Sequence, residues 1–355
     1  GGVEQVIFNL AKNLHKMGHN VDITCIGNED KVIKTKFGKL FVFKVPQFKR
    51  FGKFSIFLKK AIYNRKLKKF ISKNGSNYDI IHVHGDICGF KELVKFNTIL
   101  TLHGFSIQAH VKRNLLDRIF ISFTSGRTEI KNMKYSKVII AVSKRVKNFA
   151  SKFTNKKIKV IYNGIDTKLY RPVSYKVKMN VRNRLGLSNK GVYLLFVGRD
   201  DYIKGLDILI EAFTRLKLKN VYLNVVGVSK KLQNETDAVN FVGRTTQTVK
   251  YYNASDIFIL PSRSEGFSIA GLEALSSGLP TIVSKTSGIN EIIKNGVNGL
   301  VLERNDPNMI KIYLYKLIKN KKLRKELGKR ARKLALEYDW RIVSKAYINI
   351  YKSNL

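Results

Sequence analysis

Two glutamates, Glu265 and Glu273, stand eight positions apart in the second half of the chain. They follow the apolar run at 256–260, which predicts a buried strand, and the loop after this strand is expected to open a helix that bears both glutamates, with Glu265 at its start. Eight helical residues rise about 12 Å, so both carboxylates are expected to address one elongated ligand. The free backbone amides of residues 266–268 would form the N-terminus of that helix, where anions bind readily. The pattern therefore predicts a ligand that carries both hydroxyl groups and negative charge.

A purely structural role for the two glutamates is the alternative. Glu265 would then favour the helix dipole from the first turn, and Glu273 would be a solvated surface residue. Glu273, however, stands between Leu272 and Ala274 in a nearly apolar helix. A carboxylate without a role would be costly there, which favours the functional interpretation.

Arg199 and Lys204 form a second candidate pair. They follow the apolar run Tyr193–Val197, which predicts a buried strand, and they stand five positions apart across a turn. A guanidinium and an ammonium placed there can neutralise a diphosphate whose charge grows as the bond to it breaks. In a chain with 67 Lys and Arg against 25 Asp and Glu, a solvated basic turn is the alternative.

Three histidines follow or lie on apolar strands of the first half. His103 comes directly after the strand predicted at 98–102 and is followed by Gly104. His82 and His84 alternate along another predicted strand and so share one of its faces. A metal site needs a third ligand, which this strand does not provide, so the pair is expected to line a core or a cleft.

The elements that must position these side chains are short apolar strands that alternate with helical patterns. This alternation predicts parallel sheets covered by helices on both faces. The predicted strands are 21–26, 40–45, 79–83, 98–102, 137–142, 159–162, 193–197, 221–226, 239–242, 256–260 and 281–284, and the clearest helices are 3–16, 206–216 and 266–277.

A polar stretch at 171–190 predicts the boundary between two doubly wound α/β domains with a cleft between them. The first domain is expected to span 1–172 and the second 173–337. A break before Trp340 predicts that the last segment, 338–355, is a helix that crosses back to the first domain.

Taken together, these motifs resemble the retaining glycosyltransferases of family 4, the glycosyl transferases group 1, which have the two-domain GT-B fold with two Rossmann-like domains. The resemblance covers essentially the whole chain and rests on five segments: Glu265-x7-Glu273 with the following Ala274–Ser284, Gly1–Glu4, Thr101–Gly104, Asn163–Asp166 and Val197–Gly205. Family members begin with a strand before the glycine loop. The first strand of the N-terminal domain is therefore expected to be missing here, with roughly ten or more residues preceding Gly1.

The resemblance also implies a role for each candidate residue. As catalytic residues it implies Glu265, which holds the sugar and the diphosphate, His103, which faces the transferred sugar, and the diphosphate clamp of Arg199 and Lys204. Glu273 is implied to bind the ribose hydroxyls of the nucleotide. The other implied donor-binding residues are Gly2 at the phosphates, Gly227, Val242 and Gly243 at the base, and the backbone amides of Gly266, Phe267, Ser268 and Ile269.

The implied activity moves a hexose-type sugar from a UDP- or GDP-sugar to a saccharide or lipid-linked acceptor, with retention at the anomeric carbon, in the synthesis of cell-surface glycans or glycolipids. The second domain would bind the nucleotide-sugar and the first the acceptor.

No Asp-x-Asp occurs in the sequence. The Arg/Lys clamp is therefore expected to replace a metal ion, and neither a metal nor another cofactor is expected. Retaining glycosidases use two carboxylates about 5 Å apart, and two glutamates eight positions apart on one helix are expected to be too distant for that.

Two other functions stay open. A sugar-nucleotide epimerase or hydrolase of the same fold would need acids poised for proton abstraction or elimination, and only the two glutamates are candidates. A basic nucleic-acid-binding protein is suggested by charge alone. Proteins that bind single-stranded nucleic acid pair basic and aromatic residues on an exposed sheet, whereas the β-strands of this sequence are expected to be buried. No nucleic-acid partner is therefore expected.

The charge itself is unusual, since the 355 residues carry a formal +42. Such a surface attracts anionic lipids and phosphorylated molecules. Residues 44–73 hold eleven basic and no acidic side chains, interleaved with apolar ones, and from Ser55 onward they predict an amphipathic helix of the kind that lies in a membrane interface. The protein is thus expected in the cytoplasm, docked peripherally on the anionic inner face of the cell membrane. The alternative is a helix that covers the sheet with its aromatic side chains in the core.

Two further features narrow the class. Every apolar stretch is interrupted well before 18 residues, so no membrane-spanning helix is expected. Cys25 and Cys88 are too few for a disulfide framework or a zinc cluster.

Overall fold

The computed structural model describes residues 2–47, 54–85, 88–105, 125–228 and 238–355. Its contacts separate two compact units. The first consists of Gly1–Tyr162 with Trp340–Leu355, and the second of Asn163–Asp339. In the described residues no helix is both long enough and apolar enough to cross a membrane.

The first unit contains seven described strands in two sheets. Its elements are α1 (Gly2–Lys16), β1 (Ile23–Gly27), β2 (Lys31–Lys34), β3 (Lys39–Lys44), α2 (Phe54–Asn74), β4 (Ile81–His84), β5 (Thr98–Leu102), α3 (Arg127–Tyr135), β6 (Val138–Ala141), α4 (Lys144–Ala150), β7 (Ile158–Val160) and α11 (Trp340–Lys352). Strands β4 to β7 form a wholly parallel sheet in chain order. In the other sheet β3 lies between β1, to which it is parallel, and the antiparallel edge strand β2.

Strand β2 was not predicted from the sequence. Its four residues are all exposed, and lysines stand at both of its ends. Only two apolar residues separate those lysines, which is too short a run to distinguish an edge strand from a loop.

Helix α2 packs its apolar face on this sheet. Tyr63, Leu67 and Ile71 are buried, and the Phe70 ring lies 4.8 Å from the ring of Phe41 on β3. Burying each such side chain stabilises the unit by about 1.5–3 kcal/mol. The described part of the basic stretch therefore covers the sheet, as the alternative interpretation expects, with Tyr63 in the core, Phe70 half-buried and Phe57 exposed. Residues 48–53 lie outside the described residues.

The second unit is built around one parallel sheet. Its elements are α5 (Tyr175–Arg184), β8 (Val192–Val197), α6 (Leu206–Thr214), β9 (Val221–Val226), β10 (Val239–Gly243), α7 (Thr248–Ala254), β11 (Ile257–Leu260), α8 (Ile269–Ser276), β12 (Thr281–Ser284), β13 (Leu300–Leu302), α9 (Pro307–Lys319) and α10 (Lys321–Leu336). The strand order is β10-β9-β8-β11-β12-β13.

This order means that the chain starts in the middle of the sheet, winds outward to β10 and returns to lay β11 beside β8. Between β8 and β11 the direction of winding reverses. Ligands of open α/β sheets bind at such a switch point, outside the carboxyl ends of the strands. We call this end of the sheet, where the carboxyl ends of its parallel strands lie, the carboxyl edge.

The boundary between the units lies ten residues before the one expected from the polar stretch. Residues 163–172 belong to the second unit because the carbonyl of Tyr170 accepts hydrogen bonds from Ser276 (2.6 Å) and Arg332 (2.9 Å). The polar stretch is also no plain linker, since it contains helix α5. At the other end of the chain, α11 belongs to the first unit, where it packs against α1.

A buried ion network ties α5 to the sheet of the second unit. The buried Arg182 donates to the Asp256 carboxylate (2.7 Å) and to the carbonyl of Ala254 (2.9 Å), and Lys178 pairs with Asp256 at 2.6 Å. Burial alone would raise the pKa of Asp256, but the two cations outweigh it and lower the pKa. Breaking a buried pair leaves an uncompensated charge, so this network is expected to be costly to disrupt.

Asp256→Ala is expected to lower the free energy of unfolding by about 3–5 kcal/mol, because Arg182 and Lys178 then lack their anion. Urea unfolding followed by circular dichroism measures this. Glu303→Ala is the control, since its pair with Lys285 is exposed and is expected to contribute less than about 1 kcal/mol. Equal losses in the two variants would contradict the prediction.

Candidate functional site

The structure brings Lys204 and Glu265 together at the switch point of the second unit. Lys204 lies in the connection after β8 and Glu265 in the connection after the neighbouring strand β11. Lys204 Nζ is 2.5 Å from Glu265 Oε1, and the side chains are only 19% and 14% exposed. Ser262 Oγ donates to the other carboxylate oxygen, Oε2, at 3.1 Å. A cation and an oriented carboxylate thus share one place at the carboxyl edge.

Local structure fixes the position of Lys204. Asp201 caps a single turn of 3-10 helix, Tyr202–Lys204, by accepting from the Ile203 amide at 3.2 Å. Gly205 then takes a left-handed φ of 71°, and a Cβ at this position would lie 2.1 Å from the carbonyl oxygen of Pro261. Only glycine allows this close approach. The turn that carries Lys204 is therefore pressed against the loop that leads to Glu265.

Arg199 is placed on the same connection but more loosely. Its side chain is 75% exposed, and its nearest described carboxylate is that of Asp201 at 4.0 Å. The structure therefore brings one of the two predicted cations to Glu265 and leaves the other in solvent. An exposed guanidinium of this kind can turn toward a ligand.

The prediction that both glutamates lie on one helix is wrong. Helix α8 begins at Ile269, and the Oγ atom of Ser268 caps it by accepting from the Gly271 amide at 3.0 Å. Glu265 instead pairs through its backbone with the 286–288 loop, donating to the Thr286 carbonyl and accepting from the Gly288 amide. Serine is a strong N-cap because its side-chain oxygen accepts from an amide of the first turn that has no carbonyl partner within the helix. The cap at Ser268 therefore makes the helix begin later than expected.

It follows that Gly266 and Phe267 precede the helix rather than opening it. Phe267 is buried, and Ser268 is the cap. Of the predicted amides, that of Ile269 stands in the first turn of the helix, and the amide of Ala270 follows it there. The predicted distance of about 12 Å along one helix therefore does not describe the two carboxylates.

Glu273 is buried in the middle of α8, with only 5% of its surface exposed, so it is not the solvated surface residue of the alternative interpretation. Tyr252 on α7 donates its hydroxyl to Oε2 at 2.7 Å, and Tyr170 also bonds to the carboxyl group. Burial raises the pKa of Glu273 to about 7, and the two tyrosine hydrogen bonds oppose this rise. Sequence reasoning missed both tyrosines, because nothing in their spacing links them to Glu273.

The ends of β9 and β10 form the adjoining part of the carboxyl edge. Gly227 (φ 99°) donates to the carbonyl of Gly243 at 2.7 Å, and a Cβ on Gly227 would lie 2.3 Å from the Gly198 carbonyl oxygen. Val242 is half-buried beside them. The structure therefore brings Gly227, Val242 and Gly243 to the carboxyl edge at which β8 also ends. Residues 229–237, which follow, lie outside the described residues.

In the first unit, the three strand histidines form one cluster. His103 Nε2 is 2.9 Å from His84 Nδ1, and the two rings stack at 5.2 Å. His82 bonds to the Tyr351 hydroxyl and to Thr101 Oγ1, both at 2.8 Å. Burial lowers the pKa of His103 to about 4 and that of His82 to about 3, so the rings are neutral at pH 7.

The remaining first-unit prediction is Gly2, which begins α1 and is exposed; its neighbour Gly1 lies outside the described residues. In the described parts of the chain no group of three or more His, Cys, Asp or Glu has a geometry that could hold a metal ion.

Glu273→Gln is expected to remove a pH dependence of stability. The pKa of this carboxyl is raised on folding, so its protonated form stabilises the native state at low pH, and that stabilisation is lost as the pH rises to about 7. Relative to the variant, the wild-type free energy of unfolding should fall by up to about 1.4 kcal/mol per pH unit between about pH 4.5 and 7. Urea titrations of both proteins at each pH measure the difference, and parallel pH curves would refute the assignment.

Comparison with known proteins bears on the family and the fold of the chain. Residues 1–169 match the family profile Glycosyltransferase Family 4, and residues 177–334 match the profile Glycosyl transferases group 1. An uncharacterized glycosyltransferase of Methanocaldococcus jannaschii is 27% identical over 355 residues, which span 96% of this chain and 91% of the relative. The N,N'-diacetylbacillosaminyl-diphospho-undecaprenol alpha-1,3-N-acetylgalactosaminyltransferase of Campylobacter jejuni is 31% identical over 198 residues, 53% of this chain and 52% of that protein.

Among solved structures, HepE of Anabaena in complex with UDP and glucose superposes with a TM-score of 0.73 at 20% identity, over 99% of this chain and 96% of that one. This likeness and the parallel sheets of both units confirm the predicted GT-B fold with two Rossmann-like domains. The chain therefore belongs to glycosyltransferase family 4, the glycosyl transferases group 1, as its motifs indicated.

Proposed function

We propose that this glycosyltransferase transfers a hexose-type sugar from a UDP- or GDP-sugar to a saccharide or lipid-linked acceptor, with retention of configuration at the anomeric carbon. The Lys204–Glu265 ion pair at the switch point of the second unit's sheet carries the proposal. It offers an ammonium to a diphosphate and, beside it, a carboxylate to sugar hydroxyls. The structure of HepE with UDP and glucose supports a UDP-hexose as the first donor to test.

The two cations act on the leaving group. As the bond between the anomeric carbon and the phosphate oxygen breaks, negative charge grows on the diphosphate, and Lys204 stabilises that charge more strongly than it does the intact donor. Arg199, with its exposed side chain, turns to the second phosphate. The sequence has no Asp-x-Asp, so we expect these side chains to work without a metal ion or another cofactor.

The two glutamates hold the hydroxyl groups of the donor. Glu265 is oriented by Ser262 and Lys204 and accepts hydrogen bonds from the transferred sugar. Glu273 accepts from the ribose, since a carboxylate has about four acceptor positions and the tyrosines use only part of them. The family resemblance implies that His103, whose ring is neutral, hydrogen-bonds the transferred sugar.

Retention is expected through attack on the front face. The acceptor oxygen forms its bond to the anomeric carbon on the side from which the diphosphate leaves, and the leaving phosphate oxygen takes the acceptor's proton. This route needs no carboxylate nucleophile, unlike that of retaining glycosidases.

A thermal-shift panel of UDP, GDP, UDP-hexoses and GDP-hexoses tests donor binding. A ligand present at a hundred times its Kd stabilises a protein by about 2.7 kcal/mol, which raises Tm by a few degrees. Lys204→Ala and Glu273→Ala are expected to abolish the shift, because each removes a group that holds the donor. Lys219→Ala, an exposed lysine before β9, is the control and should keep the shift.

Several outcomes would overturn this assignment. A ligand-induced rise in Tm that persists in both Lys204→Ala and Glu273→Ala would mean that the donor binds elsewhere. Release of free hexose, or inversion of a sugar centre without an acceptor, would favour the hydrolase or epimerase alternative. Salt-dependent RNA binding with no shift for any nucleotide would favour the nucleic-acid alternative.

For the acceptor, we propose a lipid-linked molecule on an anionic membrane. The name of the Campylobacter relative specifies a diphospho-undecaprenol substrate. In the first unit, α2 presents exposed Arg65, Lys69 and Lys73 on the side away from its packed apolar face. Because that apolar face is occupied by the sheet, we expect attachment through charge, with the enzyme peripheral on the inner face of the membrane.

Sedimentation with liposomes tests the membrane proposal. Each basic residue near an anionic surface contributes about 1 kcal/mol, so the triple change Arg65→Gln, Lys69→Gln and Lys73→Gln should weaken binding to anionic vesicles by about a hundredfold. Three exposed lysines of α10, Lys325, Lys329 and Lys333, changed to Gln, form the charge-matched control. Equal losses in both triple variants, or equal binding to neutral vesicles, would contradict docking through α2.

A further inference from the structure

The loop between β11 and Glu265 carries a residue that the proposed chemistry does not use. Arg263 Nη1 and Nη2 bond to the two carboxylate oxygens of Asp207, each at 2.6 Å, and Nη1 also donates to the carbonyl of Tyr202 at 2.7 Å. The guanidinium carbon lies 3.6 Å from the centre of the Tyr202 ring. The backbone amide of Arg263 donates to the carbonyl of Ile203 at 2.6 Å. One residue thus makes four kinds of contact with the segment 202–207.

That segment contains Lys204. The single 3-10 turn Tyr202–Lys204 is closed by hydrogen bonds to the carbonyls of Asp201 and Tyr202, which are too few to hold it rigid by themselves. Arg263 binds it at Tyr202 and Ile203, before Lys204, and at Asp207, after it. The turn is therefore held from both sides of the lysine.

The same contacts set the separation of the two charged residues at the switch point. Arg263 stands two positions before Glu265, so each bond from Arg263 to the Lys204 turn joins the loop of the carboxylate to the loop of the ammonium. A lysine side chain loses rotamer freedom when it is fixed. Holding its backbone in advance reduces the further freedom lost when a ligand binds.

We propose that Arg263 is a positioning residue that holds Lys204 at the diphosphate of the donor, with Asp207 and Tyr202 as its partners. This inference rests on the proposed function, because the role of Lys204 comes from it. Only arginine fits, since its planar fork bonds both carboxylate oxygens while its face stacks on the ring.

The test compares binding of a diphosphate with binding of the same nucleoside without phosphates. Calorimetry is run with UDP against uridine and with GDP against guanosine. Arg263→Met is expected to weaken binding of the diphosphate about tenfold and to leave nucleoside binding unchanged, because only the phosphates reach Lys204. Arg263→Lys is expected to restore little of the affinity. Asp207→Asn is expected to weaken binding of the diphosphate, as Arg263→Met does.

A double-mutant cycle separates positioning from direct contact. In a Lys204→Ala background, Arg263→Met should cause no further loss of diphosphate affinity, because the group it positions is gone. A further tenfold loss in that background would mean that Arg263 itself binds phosphate and would overturn the proposal. Arg215→Met is the matched control: this arginine also joins an acid, Glu211, and an amide, Asn308, but lies at the other end of α6.

The remaining outcomes are equally decisive. A lower Tm with unchanged diphosphate affinity in Arg263→Met would show a structural role only. If Arg263→Met does not fold, Asp207→Asn tests the same role of Arg263, because this variant keeps the Arg263 side chain and removes only the charge of its partner. Failure of the wild-type protein to bind either diphosphate would instead refute the proposed function, a result that no Arg263 variant can produce.

Discussion

The candidate site depends on one topological constraint, the order of strands in the second unit. Because the sheet starts at β8 and returns to β11, the connections after these neighbouring strands leave the sheet in opposite directions. Two chain segments that are 61 residues apart then meet at one edge, and the Lys204–Glu265 ion pair joins them. Parallel strands with this winding order create the meeting point, and the sequence only has to supply charged residues there.

The two glutamates of the motif are stabilised in different ways. Glu265 lies outside the helix, where a lysine and a serine hydroxyl satisfy its oxygens. Glu273 lies within the helix, where burial raises its pKa and tyrosine hydroxyls are its hydrogen-bond partners. A group with a pKa of about 7 gains or loses its proton near neutrality, so the proposed binding of ribose hydroxyls to the Glu273 carboxylate is expected to be coupled to proton release.

The first unit contributes residues of another kind. The rings of His82, His84 and His103 are neutral, and His84 is hydrogen-bonded to His103. The His82–Tyr351 bond joins the parallel sheet to helix α11, the last element of the chain. Helix α2 carries seven of the unit's basic side chains. Its apolar face packs on the sheet, and Arg65, Lys69 and Lys73 are exposed. A basic helix that covers a sheet can attract an anionic surface without inserting into it.

The amino-acid sequence by itself determined the fold class, most of the strands and the types of residue at the site. Alternating apolar runs and helices are enough for this, because burial of strands on both faces leaves a strong local signal, as at 221–226 and 281–284. The family follows from the same motifs. Local pattern also identified Arg199, Lys204, Glu265 and Glu273 as candidate site residues.

Only the tertiary structure decided how these residues are arranged. The start of α8 at Ile269 depends on the Ser268 cap and on the pairing of Glu265 with the 286–288 loop, which is remote in sequence. The partners of Glu273 come from two other segments, and Arg263 meets Asp207 across 56 residues. Such contacts depend on which segments the sheet brings together. A periodic pattern of apolar residues records that a strand is buried, but it does not record which side chains will face one another at its end.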